Sequence, residues 1–231
     1  MGESKICRVI SFDIGTKNFA YSISEFDLLE LNRLRTEYLQ LPKNFQRKSN
    51  GIMNEHVLKI MREMFSKGNL IKTECINLRS DDYNHLNNET RVNLRQYLDD
   101  REEDIYLCDY VLIEQQFSQI SGKGKRFKAQ TNYDALKFSE CVNMYFVVNY
   151  PKMEIITCPA KNKTMIFTDK KMVERERKDY ADEKVYEILS LRNDSRAEMF
   201  LKKRGKKKTN DMADTIIQLE AWKYKTFVAK F

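Results

Sequence analysis

Ile6-Cys7-Arg8-Val9-Ile10-Ser11-Phe12-Asp13-Ile14-Gly15, followed by Phe19-Ala20-Tyr21-Ser22-Ile23-Ser24, is the stretch on which the fold turns. The first run is apolar and β-branched and stops at an acid and a glycine, which reads as a buried strand entering a tight turn. The second alternates with period two, so the two strands are expected to form a hairpin. Downstream, Tyr110-Val111-Leu112-Ile113-Glu114 is another continuous apolar run closed by an acid, the pattern of a central strand buried on both faces. Residues 154–157 make a further short strand, ended by Pro159.

Between these strands the periodicity is helical. Met53, Val57, Ile60, Met61 and Met64 share one face of a helix over 53–65, which suits an adaptable core stripe or a binding groove. Residues 28–41 are Leu-rich, and their pattern leaves strand and helix both open. A helix is expected over 86–104, its acidic end (Asp99-Asp100-Arg101-Glu102-Glu103-Asp104) reading as a solvated terminus. Others are expected over 129–149, stopped before Pro151, over 170–191, near 195–201, and over 211–224 with Thr209-Asn210 as its cap. Strands first, then helices alternating with strands, indicate an α/β or α+β chain.

A length of 231 residues suits one domain, and 42% apolar with 11% aromatic residues can fill its core. The longest apolar run, Met144 to Val148, is far short of the ~18–20 residues of a membrane-spanning helix. The N-terminus has no apolar stretch of a secretory leader, and Ile6 stands where a myristoylation motif needs Ser or Thr. Five cysteines, never closer than 17 positions, and two histidines make no zinc pattern, so free and mostly buried thiols of a reducing compartment, the cytoplasm, are expected. Net charge is +7, which favours a polyanionic partner. The charge gathers in two places. Lys123, Lys125, Arg126 and Lys128 lie in a Gly-containing loop, and residues 202–208 carry six cations around one glycine, ending in Lys206, Lys207 and Lys208.

Asp13 and Glu114 each end a strongly apolar strand, where a carboxylate is costly unless something positive compensates it. If the strands are neighbours, the acids meet at one end of the sheet. Asp211-Met212-Ala213-Asp214 adds two carboxylates at i and i+3, on one helix face. Taken singly, each has an ordinary structural reading: a turn residue for Asp13, a favourable encounter with the helix dipole for Asp211 and Asp214. Together they form an all-oxygen donor set that suits Mg²⁺ or Mn²⁺ and not zinc. Two such ions, ~3.5–4 Å apart, can clamp the attacking and leaving oxygens of a phosphoryl displacement.

Ile10-Ser11-Phe12-Asp13-Ile14-Gly15-Thr16-Lys17-Asn18, Ile113-Glu114-Gln115-Gln116-Phe117 and Asp211-Met212-Ala213-Asp214 resemble the motifs of RuvC-type Holliday junction resolvases, with the poxvirus branch nearest and the yeast mitochondrial enzymes also similar. The order and spacing run over most of the chain, though residues 42–70 have no match. The resemblance implies an RNase H-like fold, a mixed five-stranded sheet flanked by helices, as one nuclease domain over 1–231 with a helical insertion about 42–70. It implies a Mg²⁺- or Mn²⁺-dependent endonuclease with two ions per site, held by Asp13, Glu114, Asp211 and Asp214. It further implies a homodimer that resolves four-way and related branched DNA by paired symmetric nicks, in viral genome concatemer processing, in host cytoplasm or virion. It implies no membrane partner and no small-molecule cofactor. Phe117 matches an aromatic set against bases near the junction centre, where stacking is worth ~1–3 kcal/mol; its other reading is a core residue after a strand. The 123–128 loop and Lys206, Lys207 and Lys208 would hold phosphates or else be solvated loops. Asn210 stands where some relatives have another acid; of Asn210 and Asp211, the i, i+3 spacing with Asp214 favours Asp211 as the ligand.

Other readings are weaker. Asp13-Ile14-Gly15-Thr16 also opens the phosphate hairpin of actin-like and sugar-kinase-like ATPases, but a second Asp-x-Gly and a Gly-rich nucleotide loop are missing from this sequence. A metal-free binding relative would gain nothing from four acids facing phosphate. Another RNase H-like nuclease, an RNase H or a transposase, is the nearer alternative.

Overall fold

The hairpin at the N-terminus lies in the middle of the sheet. In a computed structural model, which describes residues 5–46, 53–79, 86–116, 133–168, 172–203 and 206–229, β1 (Ile6–Asp13) pairs antiparallel with β2 (Phe19–Asp27), from Ile6 opposite Asp27 to Asp13 opposite Ala20. β3 (Asn69–Ile76) runs antiparallel to β2. On the other side β4 (Tyr110–Glu114) is parallel to β1, and β5 (Glu154–Cys158) is parallel to β4. The sheet order is β3-β2-β1-β4-β5, a mixed five-stranded sheet as expected. β3 is the strand that the sequence reading passed over. Its Lys72 and Glu74 are half-buried and bound to Asp104 and Arg101 (2.9 and 2.8 Å), so polar side chains interrupt the apolar signal. Gly68 leads into β3 at φ +125°, a backbone that side chains disfavour.

Helices cover both faces: α1 (Leu28–Gln40), α2 (Glu55–Ser66), α3 (Asn88–Asp99), α4 (Glu102–Tyr106), α5 (Tyr133–Asn149), α6 (Asn162–Met165), α7 (Glu174–Leu191), α8 (Ala197–Lys202) and α9 (Lys207–Lys223), which runs on into a π-helical segment, Tyr224–Ala229. The ambiguous 28–41 segment is helical because Asp27 caps it, accepting from Leu29 N at 2.8 Å, and because Leu31, Leu34 and Tyr38 bury one stripe. Met61 and Met64 of α2 are core residues, not a groove. Three helix expectations need correction. The 86–104 helix is two, because Arg101 leaves the first to reach Glu74, Tyr21 and the Tyr97 ring. The helix expected from 170 begins at Glu174. The last helix begins at Lys207, so Thr209 and Asn210 lie buried in its first turn and cap nothing.

The two sheet faces carry separate cores. Ile10, Phe12, Tyr21, Ile23, Val111 and Ile113 meet Leu94 and Leu98 of α3 and Phe138, Val142 and Phe146 of α5. Val9, Phe26 and Leu112 meet α1, α2, and Leu219 and Trp222 of α9. A third cluster joins α7, α8 and α9 to Leu70. Where α9 crosses β1 and β2 the seam is polar and small. Gln218 Nε2 donates to Ser11 Oγ (3.1 Å) and Phe12 O (3.2 Å), and Ser22 Oγ lies 2.6 Å from Thr215 Oγ1. These directional bonds set the rotation of α9, which purely apolar packing would leave less defined. Among the described residues no helix is long and apolar enough to cross a membrane, and all five cysteines are free.

Candidate active site

β1 and β4 are parallel neighbours, with Phe12 opposite Ile113, so the residues that follow, Asp13 and Glu114, emerge at the same sheet end. The turn after Asp13 is tight. A Cβ on Gly15 would stand 2.7 Å from Asn18 O, so only glycine lets the chain double back here. Glu114 stands near enough to Asp13 to raise its carboxyl. α9 brings its acids to the same end. Asp211 lines a cleft of about 320 Å³ with Asp13, and Asp214 lines a second, of about 210 Å³, with Glu114. The four carboxylates that the sequence singled out thus border two adjoining clefts, linked through the Asp13–Glu114 contact.

A residue that sequence reasoning missed sits among them. Lys163 of the single-turn α6, 7% exposed, reaches Glu114 Oε1 at 3.0 Å and Asp214 Oδ2 at 3.4 Å. It is delivered by the turn after β5, where Asn162 N donates to Pro159 O at 2.9 Å. The signal in the sequence was only the position of a lysine a few residues past a short strand; nothing in its flanks distinguishes it from the many surface lysines.

The electrostatics follow from one buried cation facing three acids. Burial pushes the Asp13 carboxyl up to about 7; Lys163 pulls it down, and Glu114 adds to the rise. Burial also raises Asp214, against the pull of Lys163. Burial alone would lower Lys163, but Asp13, Asp214 and Glu114 outweigh it and hold the ammonium above its ordinary value. The site therefore carries more negative charge than its lysine neutralises. Hard oxygen donors with surplus charge fit Mg²⁺ or Mn²⁺. Among the described residues no group of three acids, His or Cys is closely enough arranged to hold an ion as the side chains stand.

Asn210 and Asp211 are told apart by direction. Asn210 Nδ2 donates to Asp182 Oδ2 of α7 at 2.7 Å, both residues being buried, while Asp211 lines the cleft. Cations flank the acids on both sides: Lys17 and Arg79 border the cleft of Asp13, Arg177 and Lys178 that of Glu114. The sequence singled out none of these four. Lys206 and Lys208 are exposed beside the first turn of α9. Phe117, Lys123, Lys125, Arg126 and Lys128, and the side chain of Lys207, lie outside the described residues.

No protein-family model matches the chain. An uncharacterized protein, 170L of Invertebrate iridescent virus 6, is 28% identical over 94% of this chain and 88% of its own length. Among solved structures, the fowlpox virus Holliday junction resolvase aligns over 95% of this chain and 98% of its own with 14% identity and a TM-score of 0.49. Thermus thermophilus RuvC aligns over 95% and 97% of the two chains with 8% identity and a TM-score of 0.52. The similarity to RuvC, with the strand order above, shows that the chain has an RNase H-like fold.

Proposed function

We propose that this protein is a metal-dependent, structure-selective DNA endonuclease that resolves four-way junctions by paired symmetric nicks. One observation carries the reading. Asp13, Glu114 and Asp214, from three separate elements, gather about Lys163 at one end of an RNase H-like sheet, with Asp211 on the adjoining wall. Nothing in folding requires such a cluster, since its charge repulsion destabilises the chain. The RNase H-like fold is in keeping with a nuclease, and the origin of the relative 170L is in keeping with a viral setting.

When bound, divalent ions would compensate the phosphate's charge and supply an activated water. Asp13, Glu114, Asp211 and Asp214 are the side chains that would hold them. Lys163 fixes Glu114 and Asp214 in place by charge-assisted hydrogen bonds. Asn210 fastens the first turn of α9 to Asp182, which aims Asp211 at the cleft. A junction offers two equivalent strands, so the active species is a two-fold dimer.

The test is gel analysis of a synthetic four-way junction, a flap and an RNA–DNA hybrid, with Mg²⁺, with Mn²⁺ and with chelator. Symmetric paired nicks in the junction, dependent on the ion, are expected. Preferential cutting of the hybrid would replace the reading with that of an RNase H.

A further inference from the structure

The cleft beside Asp13 and Asp211 contains a cation with no acidic partner among the described residues. Arg79 follows β3 and is half-buried; its Nε donates to Thr16 Oγ1 at 2.7 Å, and among the described residues Thr16 is the guanidinium's one partner. The backbone at Leu78 and Arg79 is held from three directions. Arg79 N donates to Asn77 Oδ1 (3.1 Å), Leu78 N to Thr16 O (3.0 Å), and Asn93 Nδ2 of α3 to Leu78 O (2.9 Å). The residues after Asp13 and the residues after β3 are therefore one clamped unit. The clamp places a preorganised fork of N–H donors on the wall of a cleft that also holds Asp13 and Asp211. Those acids lie in the same cleft, yet neither forms an ion pair with it within 4.0 Å.

A guanidinium held by one nitrogen keeps its terminal donors for a ligand, and their planar geometry matches two phosphate oxygens. The cleft also needs such a group. Asp13, Asp211 and Asp134 on its walls repel a phosphodiester, and Arg79 with Lys17 are the cations there that offset them.

We propose that Arg79, positioned by Thr16, binds a backbone phosphodiester of the strand lying against Asp13 and Asp211. The assignment rests on the nuclease reading for its polymer; the grip on phosphate itself does not need the chemistry to occur. Arg79 touches substrate, and Thr16 acts through it.

Binding of a labelled four-way junction is measured in chelator across a salt series, and single-turnover nicking is measured separately with Mg²⁺. Arg79→Ala should shallow the slope of log affinity against log salt by about 0.9, the counterion share of one phosphate. Arg79→Lys should keep the slope, having kept the charge, but nick on the order of 100-fold more slowly, because a point charge does not reproduce the fork. Thr16→Val should likewise keep the slope and lose nicking. An unchanged slope in Arg79→Ala, or full-rate nicking by Thr16→Val, would overturn the proposal. A wild-type protein that binds junctions and nicks no DNA would remove the nuclease reading, while the slope in chelator would still decide whether Arg79 holds a phosphate.

Discussion

Lys163 Nζ stands 3.0 Å from Glu114 Oε1, so the acid that ends β4 carries a buried counter-charge before any ion or substrate arrives. The same ammonium lies 3.4 Å from Asp214, which joins a strand end to a helix 100 residues further along the chain. This one lysine holds together a cluster that repulsion would otherwise spread.

Replacing Lys163 with Met should therefore loosen the site. Removing one partner of a buried ion pair typically costs about 3–5 kcal/mol, because the remaining charge is left uncompensated. Thermal melts in chelator should show the loss, and adding Mg²⁺ should raise the melting temperature of Lys163→Met more than that of the wild type. An equal Mg²⁺ response in both would mean that the ammonium and the ion do not share the same acids.

Asp13→Asn should abolish nicking, leave junction binding largely intact and stabilise the metal-free protein. The folded-state carboxyl is raised to about 7, so between the ordinary value of 3.8 and that point the folded chain keeps a proton that the unfolded chain has lost. Stability from this group is present below that window and falls as pH rises through it. Asparagine removes the penalty, so the gain in melting temperature should appear at pH 8 and vanish near pH 4. Retained nicking by Asp13→Asn would count against its role.

Behind the site, Glu220 of α9 is buried between Arg192 (2.7 Å) and Lys223 (2.6 Å), and Lys223 also donates to Lys67 O at 3.0 Å. Burial pushes the Glu220 carboxyl up, but Arg192 and Lys223 outweigh it and hold it below its ordinary value. Its stabilisation is thus present above the ordinary carboxylate pKa and lost as pH falls through the lower folded value. Glu220→Gln should lower the melting temperature by on the order of 10 °C at neutral pH and flatten the acid limb of the stability curve. An acid limb as steep as the wild type's would assign it to other carboxylates, such as Glu74 and Asp194, which are also held low.

Lys206, Lys207 and Lys208 together, changed to Ala, should weaken junction binding and shallow its salt slope by up to about 0.9 for each phosphate left without its cation. Filter binding at several salt concentrations reads both. No change in slope would mean that these side chains face solvent.

Much of the site was legible in the chain itself. Asp13 and Glu114 betrayed themselves by ending apolar runs, because a strand buried on both faces tolerates an acid only where it emerges. Asp211 and Asp214 did so by spacing. β3 was not legible, since Lys72 and Glu74 obtain their partners from α4 and the residue before it, not from the strand's own pattern. Nor was the true start of α9, where Asn210 has the composition of a cap but spends its amide on Asp182, remote in sequence.

Local chemistry in the chain determined four of the five strands, most helices and the four acids that stand out as candidates, because these depend on neighbours within a few residues. Tertiary structure alone decided that Lys163 stands against Glu114 and Asp214, that the Asn210 amide turns to Asp182, and that Arg79 is fastened to Thr16 beside the cleft. Each of these depends on two distant segments meeting at hydrogen-bonding distance, and a bond of that kind leaves no periodic trace in either segment.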